Sequence, residues 1–196
     1  MKKLIQLSLV SMIVLTACKK TEMAPAARQT TETQPAARPS YTAMALKTAT
    51  TSNYCTSKGN STTHGYINKV SLETINNLSG NNGGYGNFTG MSASLQKAAT
   101  YTVELTPGFV QGAAYFEYWT VYIDYNQDGI FEANEIVAKG HAAIRINKSF
   151  TIPATAKTGP TRMRIQMQAG AFQTDPCAIY TYGEVEDYTV NVVTSL

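Results

Sequence analysis

Hydrophobic and polar residues alternate along much of the chain with a period of two. That spacing sends successive side chains to opposite faces of a strand. The runs GYINKVSLETI (65–75), TYTVELTP (100–107), AYFEYWTVYIDY (114–125), SFTIP (149–153), TRMRIQMQ (161–168) and EVEDYTVNVV (184–193) alternate or are rich in β-branched and aromatic residues. Clusters of Gly, Asn and Pro separate them: SGNNGGYGN (79–87), PG (107–108) and KTGP (157–160). No stretch sustains helical spacing with caps. The pattern predicts an all-β fold, an antiparallel β-sandwich of jelly-roll or fibronectin type. In the third run, alternation puts Tyr115, Trp119, Val121 and Ile123 on the core face. Phe116, Tyr118 and Tyr122 fall on the other face, at a rim or under a cover.

The first fifty residues break this pattern. Lys2 and Lys3 precede an apolar run, Leu4 to Leu15, that is too short and too interrupted by Gln6, Ser8 and Ser11 to span a membrane. The run ends in Leu15-Thr16-Ala17-Cys18, which resembles the lipobox of bacterial lipoproteins. Residues 1–17 are therefore expected to be a signal peptide, with Cys18 as the lipid-bearing N-terminus. Acyl chains would supply the two or more anchors that stable membrane attachment needs. Residues 18–50 are rich in Ala, Thr and Pro and carry PAAR twice. Such a stretch buries too little surface to offset its ordering entropy and predicts a flexible tether spanning about 30 Å. Residues 51–196 form the expected folded domain, the size of one core.

Charge and cysteines narrow the partners. Setting aside Lys2 and Lys3 leaves 14 basic residues against 13 acidic ones, with no basic stripe. Nucleic acid is therefore not an expected partner. With Cys18 lipidated, Cys55 and Cys177 remain as a pair. In an oxidising compartment the simplest reading is one disulfide. No His or further Cys stands nearby to suggest zinc.

Two motifs carry candidate chemistry. DYNQDGIFEANE, Asp124 to Glu135, matches the calcium-loop pattern D-x-[DN]-x-[DN]-G-x5-E. Asp124, Asn126 and Asp128 would offer side-chain oxygens, Ile130 its carbonyl, Glu132 a direct or water-mediated contact, and Glu135 a bidentate carboxylate. The alternative is a hairpin in which Asp128-Gly129 makes a tight turn among solvated acids. With a strand before it, the loop lacks the helices of a sensor, so the expected role of calcium is structural. GEVEDY then places Glu184, Glu186 and Asp187 within four residues, where like charges need water, a cation or arginine. Arg162 and Arg164 in TRMRI alternate onto one face and are expected to pair with these acids as structural ion pairs. The motifs HExxH and GxSxG and a phosphate loop do not occur, and the two histidines, His64 and His141, are expected in loops.

The chain resembles the GEVED domain of secreted proteins from Bacteroidota. The resemblance rests on YC at 54–55, YINKV at 66–70, INNLSG at 75–80, GYGNFT at 84–89, IDYNQDGIF at 123–131, TIP at 151–153, TRMRI at 161–165 and GEVEDY at 183–188. It implies a β-sandwich accessory module of the kind found beside secreted metalloproteases or adhesins. The resulting expectation is a non-enzymatic binding or adhesion module in the bacterial cell envelope. It would be lipid-anchored, at the outer membrane on its periplasmic or exposed side, with a glycan or envelope protein as ligand. One alternative is a carbohydrate-binding module using Tyr85, Phe88 and Tyr125 as a stacking platform. The other is a hydrolase using the GEVEDY acids.

Overall fold

The computed structural model describes residues 53–194 except Gln111 and Ala113. The expected signal peptide, Cys18 and the tether up to residue 50 lie outside the described residues. Ten strands follow one another: β1 (Lys58–Ser61), β2 (Tyr66–Leu72), β3 (Ile75–Asn77), β4 (Tyr85–Gln96), β5 (Thr100–Gly108), β6 (Glu117–Ile123), β7 (Ile136–Ala142), β8 (Ile146–Thr151), β9 (Gly159–Ala169) and β10 (Ile179–Val193). Among the described residues, one 3-10 turn, Ala133–Glu135, precedes β7.

The smaller sheet has the order β3-β2-β5-β8 and is antiparallel throughout. The larger has the order β1-β10-β9-β6-β7, with β4 also paired to β10. Strand β10 is the axis of this sheet. It runs antiparallel to β9 on one side, and on the other it takes β1 and then β4, both parallel. The expectation of a two-sheet all-β fold holds, but the larger sheet is mixed rather than antiparallel. A parallel pair cannot be closed by a hairpin. Here Tyr85 meets Val185 only after the chain has passed through the other sheet.

The core lies between the sheets. Ile67, Val70, Leu72, Val103 and Leu105 from the smaller sheet pack with Trp119, Val121, Ile123, Met163, Ile165, Met167, Tyr188 and Val190 from the larger. Each such side chain contributes roughly 1.5–3 kcal/mol by leaving water. Trp119, Val121 and Ile123 occupy the inner face of β6 as the alternation predicts. Tyr115 lies before the strand and is exposed. On the outer face, Tyr122 is buried under Phe131, with ring centroids 5.6 Å apart.

Candidate functional site: the 124–135 loop and the GEVEDY strand

The loop joins β6 to its antiparallel neighbour β7. Asp124, the first residue past β6, is fully buried. Its Oδ2 accepts hydrogen bonds from the Gly129 N–H at 3.0 Å and the Tyr54 hydroxyl at 2.7 Å. Its Oδ1 is buried and accepts none among the described residues. Asn126 Oδ1 accepts from the Asp128 N–H at 2.9 Å, and Asp128 Oδ1 from the Ile130 N–H at 2.8 Å. Each is a side chain turning its own backbone two residues on. Gly129 sits at φ +89°, a conformation that costs glycine nothing.

Glu135 closes the loop from the 3-10 turn. Its Oε1 accepts from the N–H groups of Tyr125 at 2.7 Å and Asn126 at 3.1 Å, and its Oε2 from Glu132 N–H at 3.2 Å. Burial raises its pKa above the ordinary carboxylate value, and Asp124 adds to this, while the N–H groups of Glu132, Asn126 and Tyr125 pull it back. Glu132 Oε2 accepts from Asn126 Nδ2 at 3.3 Å. Among the described residues, no three His, Cys, Asp or Glu side chains converge as a metal cluster.

The GEVEDY acids divide by face. Asp187 lies opposite Arg164 in the β9–β10 ladder. Arg164 holds it in two bonds, Nε to Oδ1 and Nη2 to Oδ2, both 2.8 Å, and Arg162 Nη1 adds a third at 3.0 Å. This bidentate pair is the expected ion pairing. Glu184 and Glu186 do not share it, which corrects the expectation for these two residues. Alternation sends them to the inner face, away from the arginines. Glu184 instead accepts three backbone N–H groups: Ile67 at 2.8 Å, Asn82 at 2.7 Å and Gly84 at 3.2 Å. It therefore fastens β2 and the 79–84 loop to β10. Glu186 accepts from the Tyr188 hydroxyl at 2.7 Å and Asn82 Nδ2 at 3.2 Å. Burial raises the Glu184 pKa against its three N–H donors, and it pushes that of Glu186 up to about 7.

Arg164 joins the two motifs to the cysteines. The disulfide Cys55–Cys177 is present, its Cα atoms 5.4 Å apart. Arg164 Nη1 donates to the carbonyls of Cys55 and Pro176, both at 2.9 Å, so one guanidinium holds both arms of the bridge while pairing with Asp187. Its other flank lies 5.1 Å from the Phe131 ring of the 124–135 loop. Phe131 stacks on Tyr54 at 5.1 Å, and Arg162 lies 4.6 Å from the Tyr54 ring. Tyr54 then reaches Asp124. YC, IDYNQDGIF, TRMRI and GEVEDY thus form one contiguous cluster on the outer face of the larger sheet.

The platform expected from Tyr85, Phe88 and Tyr125 does not form. Tyr125 belongs to the core, Phe88 stacks on Tyr188, and the Tyr85 hydroxyl donates to Asp187. Two features are not foreshadowed by the sequence. Glu117 is fully buried, with neither carboxylate oxygen hydrogen-bonded among the described residues. His141 lies in β7 rather than a turn, and both histidines stack on aromatic rings. Alternation places Glu117 inward, but nothing local marks its lack of partners.

No curated protein matches the chain. Among solved structures it is similar to the CARDB domain of a Pyrococcus furiosus protein, a crystal structure in complex with di-metal ions. Identity is 10%, covering 67% of this chain and 93% of that one, with a TM-score of 0.36. At that score the likeness carries no argument about metal or function. The GEVED domain family model matches residues 118–191, the stretch that holds the 124–135 loop, both arginines and GEVEDY, and the family resemblance is thereby borne out.

Proposed function

We propose that the protein is a lipid-anchored, non-enzymatic binding or adhesion module of the bacterial cell envelope, stabilised by calcium in the 124–135 loop. The observation that carries the calcium reading is Asp124 Oδ1, a buried carboxylate oxygen with no hydrogen-bond donor among the described residues. Burying an anionic oxygen without a partner is costly, and a hard cation is the partner that the surrounding oxygens suit. Asp124, Asn126, Asp128, Glu132, Glu135 and the Ile130 carbonyl would hold it. The side-chain oxygens keep lone pairs beyond those used by the loop's own N–H groups. The non-enzymatic reading is supported by the GEVEDY acids, which are engaged in fastening strands and arginines.

Calcium at 100 times its dissociation constant would stabilise the fold by roughly 2.7 kcal/mol. The melting temperature should rise by several degrees with calcium and return with a chelator. Asp124→Ala with Asp128→Ala should abolish the shift, and magnesium, which demands a tighter octahedron, should substitute poorly. A wild-type melting curve indifferent to calcium would sink the reading. The anchor rests on Leu15-Thr16-Ala17-Cys18. Cys18→Ser should stop incorporation of labelled fatty acid and release the protein from membranes; continued labelling would refute it.

A further inference from the structure

We propose that a cleft on the outer face of the larger sheet, where β6 begins and β9 ends, is a carbohydrate-binding site that stacks pyranose rings on Tyr115, Phe116, Tyr118 and Tyr182. The proposal rests on the reading of the protein as a binding module and names its ligand class. It does not depend on calcium.

The outer face of this sheet is unequally covered. Toward the disulfide it is sealed: Arg164 is fully engaged, and Thr120 donates to the Gln173 carbonyl at 2.9 Å. Beyond Thr120 the cover thins to Phe172 and His141 beside Tyr118. There a cleft of about 390 Å³ is walled by His64, Tyr115, Phe116, Tyr118 and Tyr182 over a floor of Ala169 and Gly170. This volume lies within the range of small-ligand sites. Tyr115 is 52% exposed and Phe116 64%. The rings brace one another. His64 stacks on Tyr182 with centroids 4.0 Å apart, and His141 lies 5.3 Å from Tyr118. Phe172 meets Tyr118 edge-on at 5.0 Å. These rings come from the β1–β2 loop, β6 and the residues before it, β7, the β9–β10 loop and β10, so five separate segments deliver aromatic groups to one place. The core does not require this, because the inner face of β6 is already filled by Trp119, Val121 and Ile123.

Composition selects the ligand. Protein-binding interfaces combine rings with arginine and methionine. The walls here hold only rings and imidazole, and the floor carries nothing larger than Ala169. A cationic ligand would seek the ring faces, but Lys139 already lies 5.3 Å from the Phe172 ring, and among the described residues no carboxylate lines the cleft. A pyranose fits both halves of this chemistry. Its C–H faces carry weak positive charge toward the negative faces of the rings, and its edge hydroxyls meet tyrosine hydroxyls and imidazole nitrogens. Tyrosines and braced rings lose little conformational freedom on binding. The nearby Lys139 and the carboxylate-free walls accommodate neutral or acidic sugars.

The test is native affinity electrophoresis of the full chain in detergent, through gels containing xylan, glucomannan, laminarin or polygalacturonate. At least one gel should retard the protein. The exposed pair Tyr115→Ala with Phe116→Ala should weaken apparent affinity at least tenfold at unchanged melting temperature. Ile144→Ala, an exposed residue outside the cleft, should behave as wild type. No retardation in any of the four gels, or retardation that the double variant keeps, overturns the proposal. Cosedimentation with isolated envelopes separates the two levels. If the gels fail but envelopes bind wild type and not the double variant, the cleft serves a non-sugar partner and only the carbohydrate assignment falls. If both fail, the binding-module reading falls with it.

Discussion

Glu117 and Glu186 show how much a single buried carboxyl costs this fold. Burial pushes each up to about 7, from an ordinary value of 4.5. Glu186 has a hydroxyl and an amide for company, whereas Glu117 has no hydrogen bond on either oxygen among the described residues. For an acid whose pKa is raised on folding, the native state keeps a proton that the unfolded chain releases. The stability linked to that proton is full below about 4.5 and is lost as pH rises through about 7. The protein should therefore melt at a higher temperature at pH 5 than at pH 8 on account of these two groups. Glu117→Gln removes the ionisation without breaking a hydrogen bond. It should stabilise the protein at pH 8 by roughly 1–3 kcal/mol, since each tenfold change in proton affinity is worth about 1.4 kcal/mol, and have little effect at pH 5. Equal effects at both pH values, by thermal melts in matched buffers, would show that Glu117 is not held as a strained acid.

At the level of elements, the legible strands are those whose inner face is mainly apolar. The alternation of EYWTVYI, TRMRIQMQ and TYTVELT survives in β6, β9 and β5 because a strand with a water-excluding face must keep its register. Strand β4 is hidden in the sequence because YGNFTGMSASLQ buries only Gly86, Ala93 and Leu95, and its glycines read as a turn. Its place is fixed from outside, by Val185–Val193 of β10 running parallel beside it. Gly84, just before it, shows what the glycine spelling encodes. Its φ is +102°, and a Cβ there would collide with the Gly59 carbonyl oxygen. The Gly at the head of GEVEDY has the same reason: Gly183 sits at φ +134°, with the Met167 carbonyl where a side chain would be. The candidate site is half legible for a related cause. Alternation separates Glu184 and Glu186 from Asp187, but it cannot say that Glu184 meets backbone N–H groups from a loop a hundred residues away. The aromatic cleft is illegible altogether, because its rings are gathered from five segments by the topology.

On the scale of the whole molecule, the disulfide joins residues 122 apart in the chain, from just before β1 to just before β10. Everything described except the β10 strand and the residues at the two ends lies inside that loop. Closing so long a loop restricts the unfolded chain far more than the folded one, which in the chain-entropy model is worth roughly 4–5 kcal/mol. Arg164 complicates this figure in a testable way. Its bonds to the carbonyls of Cys55 and Pro176 do not involve the S–S bond, so the two arms should keep a native connection when the bridge is gone. Cys55→Ser with Cys177→Ser should therefore still fold to the same structure, with stability lower by roughly the loop-closure amount. Arg164→Met in that background should cost more than in the bridged protein, because the guanidinium is then the main tie between the arms, and among the described residues its loss leaves Asp187 only Arg162 and the Tyr85 hydroxyl. Urea unfolding of the four proteins measures this as a double-mutant cycle. Additive losses would mean that Arg164 and the disulfide act on separate parts of the fold. A coupling of about 1 kcal/mol or more would show that they secure the same junction, the point at which the chain's first strand, its last strand and the 124–135 loop meet.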